Sequence, residues 1–181
     1  FELPHNKKWE PANYNDEYMG PVVLKKALAK SLNVISAKLI FKVQPKKVVQ
    51  TARKFGFTSP LRENYSLALG ATGASPLELA SAYSVIANLG EYRDPFYVSK
   101  IEDYQGNVLY EHFIEGEKRF EPDEIYPLLD MMQGVMDDGS GRVIRRMGFK
   151  HPAAGKTGTT NAFRDAWFTG FTRGLTTSVW V

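Results

Sequence analysis

Apolar residues recur with helical spacing in several stretches of the chain, and three strand-like runs close it. Val23, Leu24, Ala27 and Leu28 make one stripe, which Pro21 is expected to open as a first-turn residue. Ser31-Leu32-Asn33 interrupts the pattern, and a second helical run follows through Ile35, Leu39, Ile40 and Val43. Residues 45–55 read as a third helix with Gly56 as its stop. Ser66-Leu67-Ala68-Leu69-Gly70 is a short apolar loop or strand. The clearest helix start is Ser75-Pro76-Leu77-Glu78: a Ser cap, Pro in the first turn and Glu three after the Ser. That helix is expected to reach about Asn88, with Gly90 ending it. Residues 97–102 and 108–110 read as a hairpin turning through Gln105-Gly106-Asn107. A helix over 122–137 turns Ile125, Leu128, Leu129, Met132, Val135 and Met136 inward. After the flexible Gly139-Ser140-Gly141 and a short basic helix come strands at about 153–160, 165–171 and 175–181. Helices followed by tightly linked strands predict an α+β fold with an antiparallel sheet.

Residues 1–20, with Pro4, Pro11 and Gly20, show no apolar period and read as an extended surface segment. Phe1–His5 lacks the charged and apolar regions of a signal peptide. Val179-Trp180-Val181 falls inside a strand pattern, so the sequence reads as part of a longer polypeptide. Such a part would lack flanking elements of its sheet. Its strand faces near Trp167, Phe168, Val179 and Trp180 are then expected to be covered by another chain, a second copy included.

At 181 residues the chain is long enough for one domain with a core, and 43% hydrophobic content is that of a globular interior. A net charge of +3, spread along the chain, argues against a nucleic-acid partner. The absence of Cys removes disulfides, thiolate chemistry and Cys-based metal sites, and suits an oxidising compartment. No apolar run of about 18 residues is present, so no membrane contact is expected of this segment. His5, His112 and His151 have no ligand spacing, and neither a metal nor a cofactor is expected.

Candidate chemistry sits in Lys156-Thr157-Gly158-Thr159-Thr160-Asn161, followed by Asp165-Ala166-Trp167-Phe168. A peptide carboxylate needs a cation and hydroxyl donors, and a backbone lying close against a strand needs a position without a side chain. Alternation puts Lys156 and Gly158 on one face, the cation beside the slot that Gly158 leaves open. Thr157 and Thr159 fall on the other face, so their use requires an edge strand with local twist or a bulge. Asp165 is read as fixing the turn between strands, with an acid catalyst as the alternative. The Trp9, Tyr14, Tyr18 group is read as packing. A lone Lys-Thr-Gly is also a turn entry, and a lone Ser31-x-Asn33 a loop cap.

Taken together, Ser31-x-Asn33, Ser66–Gly70, Ser75–Ala80, Ala87–Gly90, Gly139-Ser140-Gly141-Arg142, Lys156–Asn161 and Asp165–Phe168 resemble the transpeptidase domain of class A penicillin-binding proteins. The resemblance covers nearly the whole chain. It implies a β-lactamase/transpeptidase-like α+β fold, with residues 1–181 as one partial domain. It also implies a D,D-transpeptidase of the bacterial cell envelope, anchored in the inner membrane and working on its outer side. Such an enzyme joins peptidoglycan stem peptides by serine acyl transfer and is acylated by β-lactam antibiotics. By resemblance, Ser31 passes a proton toward the leaving amine and Asn33 holds the substrate amide. Lys156 supplies positive potential and bonds Ser31. Thr157 and Thr159 bind the carboxylate beside Gly158, and the Thr159 N–H is an oxyanion donor.

One departure matters. The family's nucleophile is the Ser of a Ser-x-x-Lys motif, and no Ser here has a Lys three residues later. Thr51 with Lys54 is the nearest formal match, and it is out of order. The chain alone is therefore expected to be inert. A serine β-lactamase and a non-catalytic cell-wall-binding module stand as the other readings.

Overall fold

The computed structural model describes residues 1–3, 7–14, 16–160 and 164–181; His5 and Asn161 lie outside the described residues. Two short strands, β1 (Glu2–Leu3) and β2 (Lys7–Lys8), pair antiparallel ahead of the first helix, where the sequence suggested only an extended segment. Trp9 stacks on Phe41 and meets Phe1 at a tilt, as packing residues do, whereas Tyr14 and Tyr18 are exposed.

Helix α1 is short, Leu24–Ala29. Pro21 does not open it: Gly20 turns the chain at φ +67 and Val23 is still extended, so the helix begins three residues later. Helix α2 (Asn33–Val43) starts at Asn33 itself, leaving Ser31 and Leu32 beyond the Lys30 cap as the connection. Helix α3 (Pro45–Lys54) follows after Gln44 alone, and Gly56 then takes φ +94 beside the Tyr92 ring. The apolar run at 65–69 is a single 3₁₀ turn closed by Gly70.

Helix α4 (Pro76–Ala87) carries the capping box read from the sequence: Ser75 accepts from the Glu78 N–H, and the Glu78 carboxylate accepts from the Ser75 N–H. The same carboxylate accepts from the backbone of Thr58 and Ser59, tying the preceding loop to the helix start. β3 (Glu91–Tyr92) then leads to the hairpin of β4 (Lys100–Glu102) and β5 (Val108–Glu111), which turns through Gly106 at φ +87. β6 (Glu117–Lys118) pairs with β3, a two-residue ladder too short to leave a sequence pattern.

Helix α5 (Pro122–Asp137) and the short α6 (Val143–Arg146) precede a three-stranded antiparallel sheet. Its strands are β7 (Ala154–Thr159), β8 (Ala166–Phe171) and β9 (Thr176–Trp180), in that order, so β7 is an edge. One sheet face meets α4 and α5 through Ala154 and Phe171, which join Ile86, Ile125 and Met132 in the core. Among the described residues the largest fully buried side chains are Ile125, Val85 and Val135. On the opposite face the Phe168 ring lies over the paired Gly155 and Gly170, where a side chain on either would strike it.

The exposure expected near Trp167, Phe168, Val179 and Trp180 is divided. Val179 and Trp180 are exposed, while Trp167 and Phe168 are half-buried by their strand neighbours. The barest aromatics lie elsewhere, Tyr97 and Tyr104 of the hairpin region at 86% and 94% exposure.

Candidate active site

Ser31 owes its position to the way α1 ends. The Leu32 N–H bonds the Ala27 carbonyl and the Ser31 N–H bonds the Leu28 carbonyl. This is a Schellman closure, which requires its penultimate residue to be left-handed and is usually filled by Gly. Here Ser31 takes φ +55, at a cost of about 1 kcal/mol for an L-residue. The strained backbone points the hydroxyl toward the sheet.

Lys156 meets it there. Its Nζ donates to Ser31 Oγ at 2.8 Å and to the carbonyl of Thr157 at 2.8 Å. Burial pushes the Lys156 ammonium down to about 8, well below its ordinary range. Of Ser31, Asn33 and Lys156, expected to converge, the fold joins Ser31 and Lys156 directly by this bond. Asn33 is brought near in sequence but is engaged differently: its side-chain amide donates to the Ala12 carbonyl at 2.9 Å, tying the N-terminal segment to the start of α2.

The β7 ladder runs through six uninterrupted pairs against β8, from Ala154–Phe171 to Thr159–Ala166, so no bulge re-aims its side chains. Edge position suffices instead: Thr157 and Thr159 reach the same cavity as Lys156 and Gly158. That cavity, about 860 Å³, lies between β7 and the turn at Leu67–Ala74, with Tyr83, Trp167 and Trp180 in its wall. Gly158 lets Trp167 close in across the strand pair, since a Cβ would sit 3.2 Å from the Trp167 Cβ. The slot expected beside Lys156 is in that direction lined by indole.

Asp165 holds the turn between β7 and β8. Its N–H donates to Thr160 Oγ1, its carboxylate accepts from the Thr160 hydroxyl, and it accepts from the Trp180 indole N–H at 2.9 Å. Those bonds occupy the carboxylate in structure. Among the described residues no group of three His, Asp or Glu side chains is placed to hold a metal ion. Among the described residues, too, no helix is long and apolar enough to cross a membrane.

Ser140 is the residue that sequence patterns alone did not single out. Its hydroxyl lies 2.6 Å from that of Thr157, and its N–H bonds the carbonyl of Ala29 at the end of α1. The only sequence signal was the Gly139-Ser140-Gly141-Arg142 stretch, which reads locally as a flexible turn. In the fold it is fixed: a Cβ on Gly139 would lie 2.4 Å from the Ala29 carbonyl oxygen. Lys30 adds a bond from its Nζ to the Asp138 carbonyl at 2.6 Å.

An edge strand, a half-buried lysine, a serine hydroxyl bonded to it and a row of threonines can align an extended peptide, attract its carboxylate and pass a proton.

Comparison with known proteins identifies the family and the fold. Residues 1–181 match the family described as penicillin binding protein transpeptidase domain. The chain is 41% identical over 181 residues to penicillin-binding protein 1A of Aquifex aeolicus, covering all of this chain and 24% of that protein. It therefore spans about a quarter of the length of that curated relative. Its fold superimposes on penicillin-binding protein 1A of Haemophilus influenzae with a TM-score of 0.93 at 25% identity, covering 99% of this chain and 32% of the other. The PonA1 protein of Mycobacterium tuberculosis in complex with penicillin V gives a TM-score of 0.79 at 26% identity, over 93% of this chain and 50% of that one. The α+β fold is that of the penicillin-binding transpeptidases, and the chain belongs to the penicillin-binding protein transpeptidase family.

Proposed function

We propose that residues 1–181 are the part of a D,D-transpeptidase that carries its Ser-x-Asn and Lys-Thr-Gly elements, within a longer serine-type penicillin-binding protein of the bacterial envelope. The nucleophilic serine belongs to a segment outside these residues. In the reaction its Oγ attacks the carbonyl between the two terminal D-Ala residues of a stem peptide. An ester forms, and D-Ala leaves with a proton. The amine of a second stem peptide then displaces the serine, forming the cross-link.

Ser31 hands the proton to the departing amine, and Lys156 restores it while holding positive potential toward the substrate carboxylate. Thr157 and Thr159 bind that carboxylate, Asn33 contacts the substrate amide once Ala12 yields it, and the Thr159 N–H stabilises the oxyanion. The observation that carries the reading is the 2.8 Å bond from Lys156 Nζ to Ser31 Oγ at the edge of an open strand.

Labelling the full-length polypeptide with a fluorescent penicillin tests it. A covalent adduct that persists and maps to a serine outside residues 1–181 is expected. An unlabelled full-length protein would overturn the proposal, and rapid hydrolytic release of the drug would replace it with a β-lactamase.

A further inference from the structure

Ser140 connects the two halves of the site through bonds that the proposed chemistry has not used. Its backbone N–H bonds the Ala29 carbonyl at 2.9 Å, two residues before Ser31. Its hydroxyl lies 2.6 Å from Thr157 Oγ1, on the strand that carries Lys156. The loop around it is held on both sides. The Gly141 N–H bonds the Val135 carbonyl, and Gly139 sits so close to Val135 and Ala29 that no side chain fits. A structural tether would be satisfied by the backbone bond alone. The exposed hydroxyl facing a second hydroxyl needs its own account.

Two hydroxyls at hydrogen-bond distance hold two protons, and only one of them lies between the oxygens. The other is free to point outward. A lone Thr157 hydroxyl would rotate among several acceptors, including water. With Ser140 as neighbour the pair presents an oriented donor whichever oxygen holds the shared proton. When an anion arrives, both hydroxyls can turn to it and donate one bond to each of its oxygens. One neutral bond is then exchanged for two charge-assisted ones. Two adjacent oxygens match the bite of a carboxylate, and the Lys156 ammonium, bonded to the Thr157 carbonyl, stands on the same strand.

We infer that Ser140 is a carboxylate-binding residue, forming with Thr157 a paired-hydroxyl subsite for the terminal carboxylate of the acyl donor. This deepens the proposed function and rests on it. The ligand class is an acyl donor whose carboxylate lies beyond the bond that is broken.

The test compares benzylpenicillin with its methyl ester, which lacks the anion, as acylating agents of the full-length protein. Substituting Ser140→Ala removes one hydrogen bond to a charged group, and acylation by benzylpenicillin is expected to slow about ten- to hundred-fold. The loss should appear in the apparent affinity for the drug rather than in the limiting rate. Acylation by the methyl ester, already slow, should be unchanged by Ser140→Ala. Ser140→Thr keeps the hydroxyl and should restore the benzylpenicillin rate. Equal slowing with both agents would make Ser140 a structural tether and overturn the inference. So would a Ser140→Ala protein that takes benzylpenicillin at the wild-type rate. A wild-type protein that takes no benzylpenicillin at all overturns the proposed function itself, and this inference with it.

Discussion

Lys156 donates a 2.8 Å hydrogen bond to Ser31 although 125 residues separate them in the chain. Neither residue reaches the other by local structure. Ser31 is placed by the left-handed closure of a six-residue helix, Lys156 by an edge strand packed on α5.

The left-handed serine separates fold from function. Gly takes positive φ without strain, so Ser31→Gly is expected to stabilise the folded protein by about 1 kcal/mol relative to Ser31→Ala. Both substitutions should lose about 10²–10⁴-fold in acylation rate, because both remove the hydroxyl proposed to carry the proton. Thermal melts beside penicillin acylation kinetics check this. An active Ser31→Gly protein would remove the hydroxyl from the mechanism.

A basic limb in the pH profile should follow from Lys156. Burial holds its pKa at about 8, and the protonated form is the one that donates to Ser31. Acylation should therefore fall as pH rises through about 8. Lys156→Arg, which does not titrate in this range, should lose that limb. The stability consequence has the opposite sign. A lowered folded pKa means that the unfolded chain binds the extra proton, so stability rises with pH between about 8 and the ordinary value of 10.5.

Gly139 should tolerate no side chain. In Gly139→Ala the added methyl group would lie 2.4 Å from the Ala29 carbonyl oxygen and 2.6 Å from the Val135 Cα, both backbone. The α1–α5 contact must then open, at about 1–3 kcal/mol. Chemical denaturation measures the loss, and acylation should slow with it because Ser31 moves with the end of α1. A neutral Gly139→Ala would show that the loop is not packed as described.

Glu78 gives an acid-side signature. Partial desolvation raises its pKa, but hydrogen bonds from Ser59, Ser75 and Thr58 outweigh this and hold it at about 2, below the ordinary 4.5. Such a group contributes stability above pH 4.5 that is lost as pH falls toward about 2. Glu78→Gln should be less stable at neutral pH by about 1 kcal/mol and should lose less between those limits. Urea midpoints measured at neutral and acid pH decide it.

The long elements were legible because each carried a strong local signal: Ser75 and Glu78 for α4, apolar spacing from Ile125 to Met136 for α5, and short turns between β7, β8 and β9. The two-residue ladders were not, since two residues have no period. The start of α1 was misplaced because Gly20 and Val23, rather than Pro21, set it. In the site, Lys156 and Ser31 were readable as motifs. Ser140 was not, because its importance lies in a tertiary contact with Thr157 that no spacing encodes. The Asn33 bond to Ala12 was likewise invisible, since it depends on how the N-terminal segment folds back.

The central claim is that Ser31 and Lys156 act as one proton-transfer unit, and a double-mutant cycle on penicillin acylation of the full-length protein tests it most directly. Ser31→Ala and Lys156→Ala are each expected to slow acylation about 10²–10⁴-fold, and the double variant should be little slower than the worse single one. Losses that multiply, or a wild-type rate in either single variant, would contradict the account.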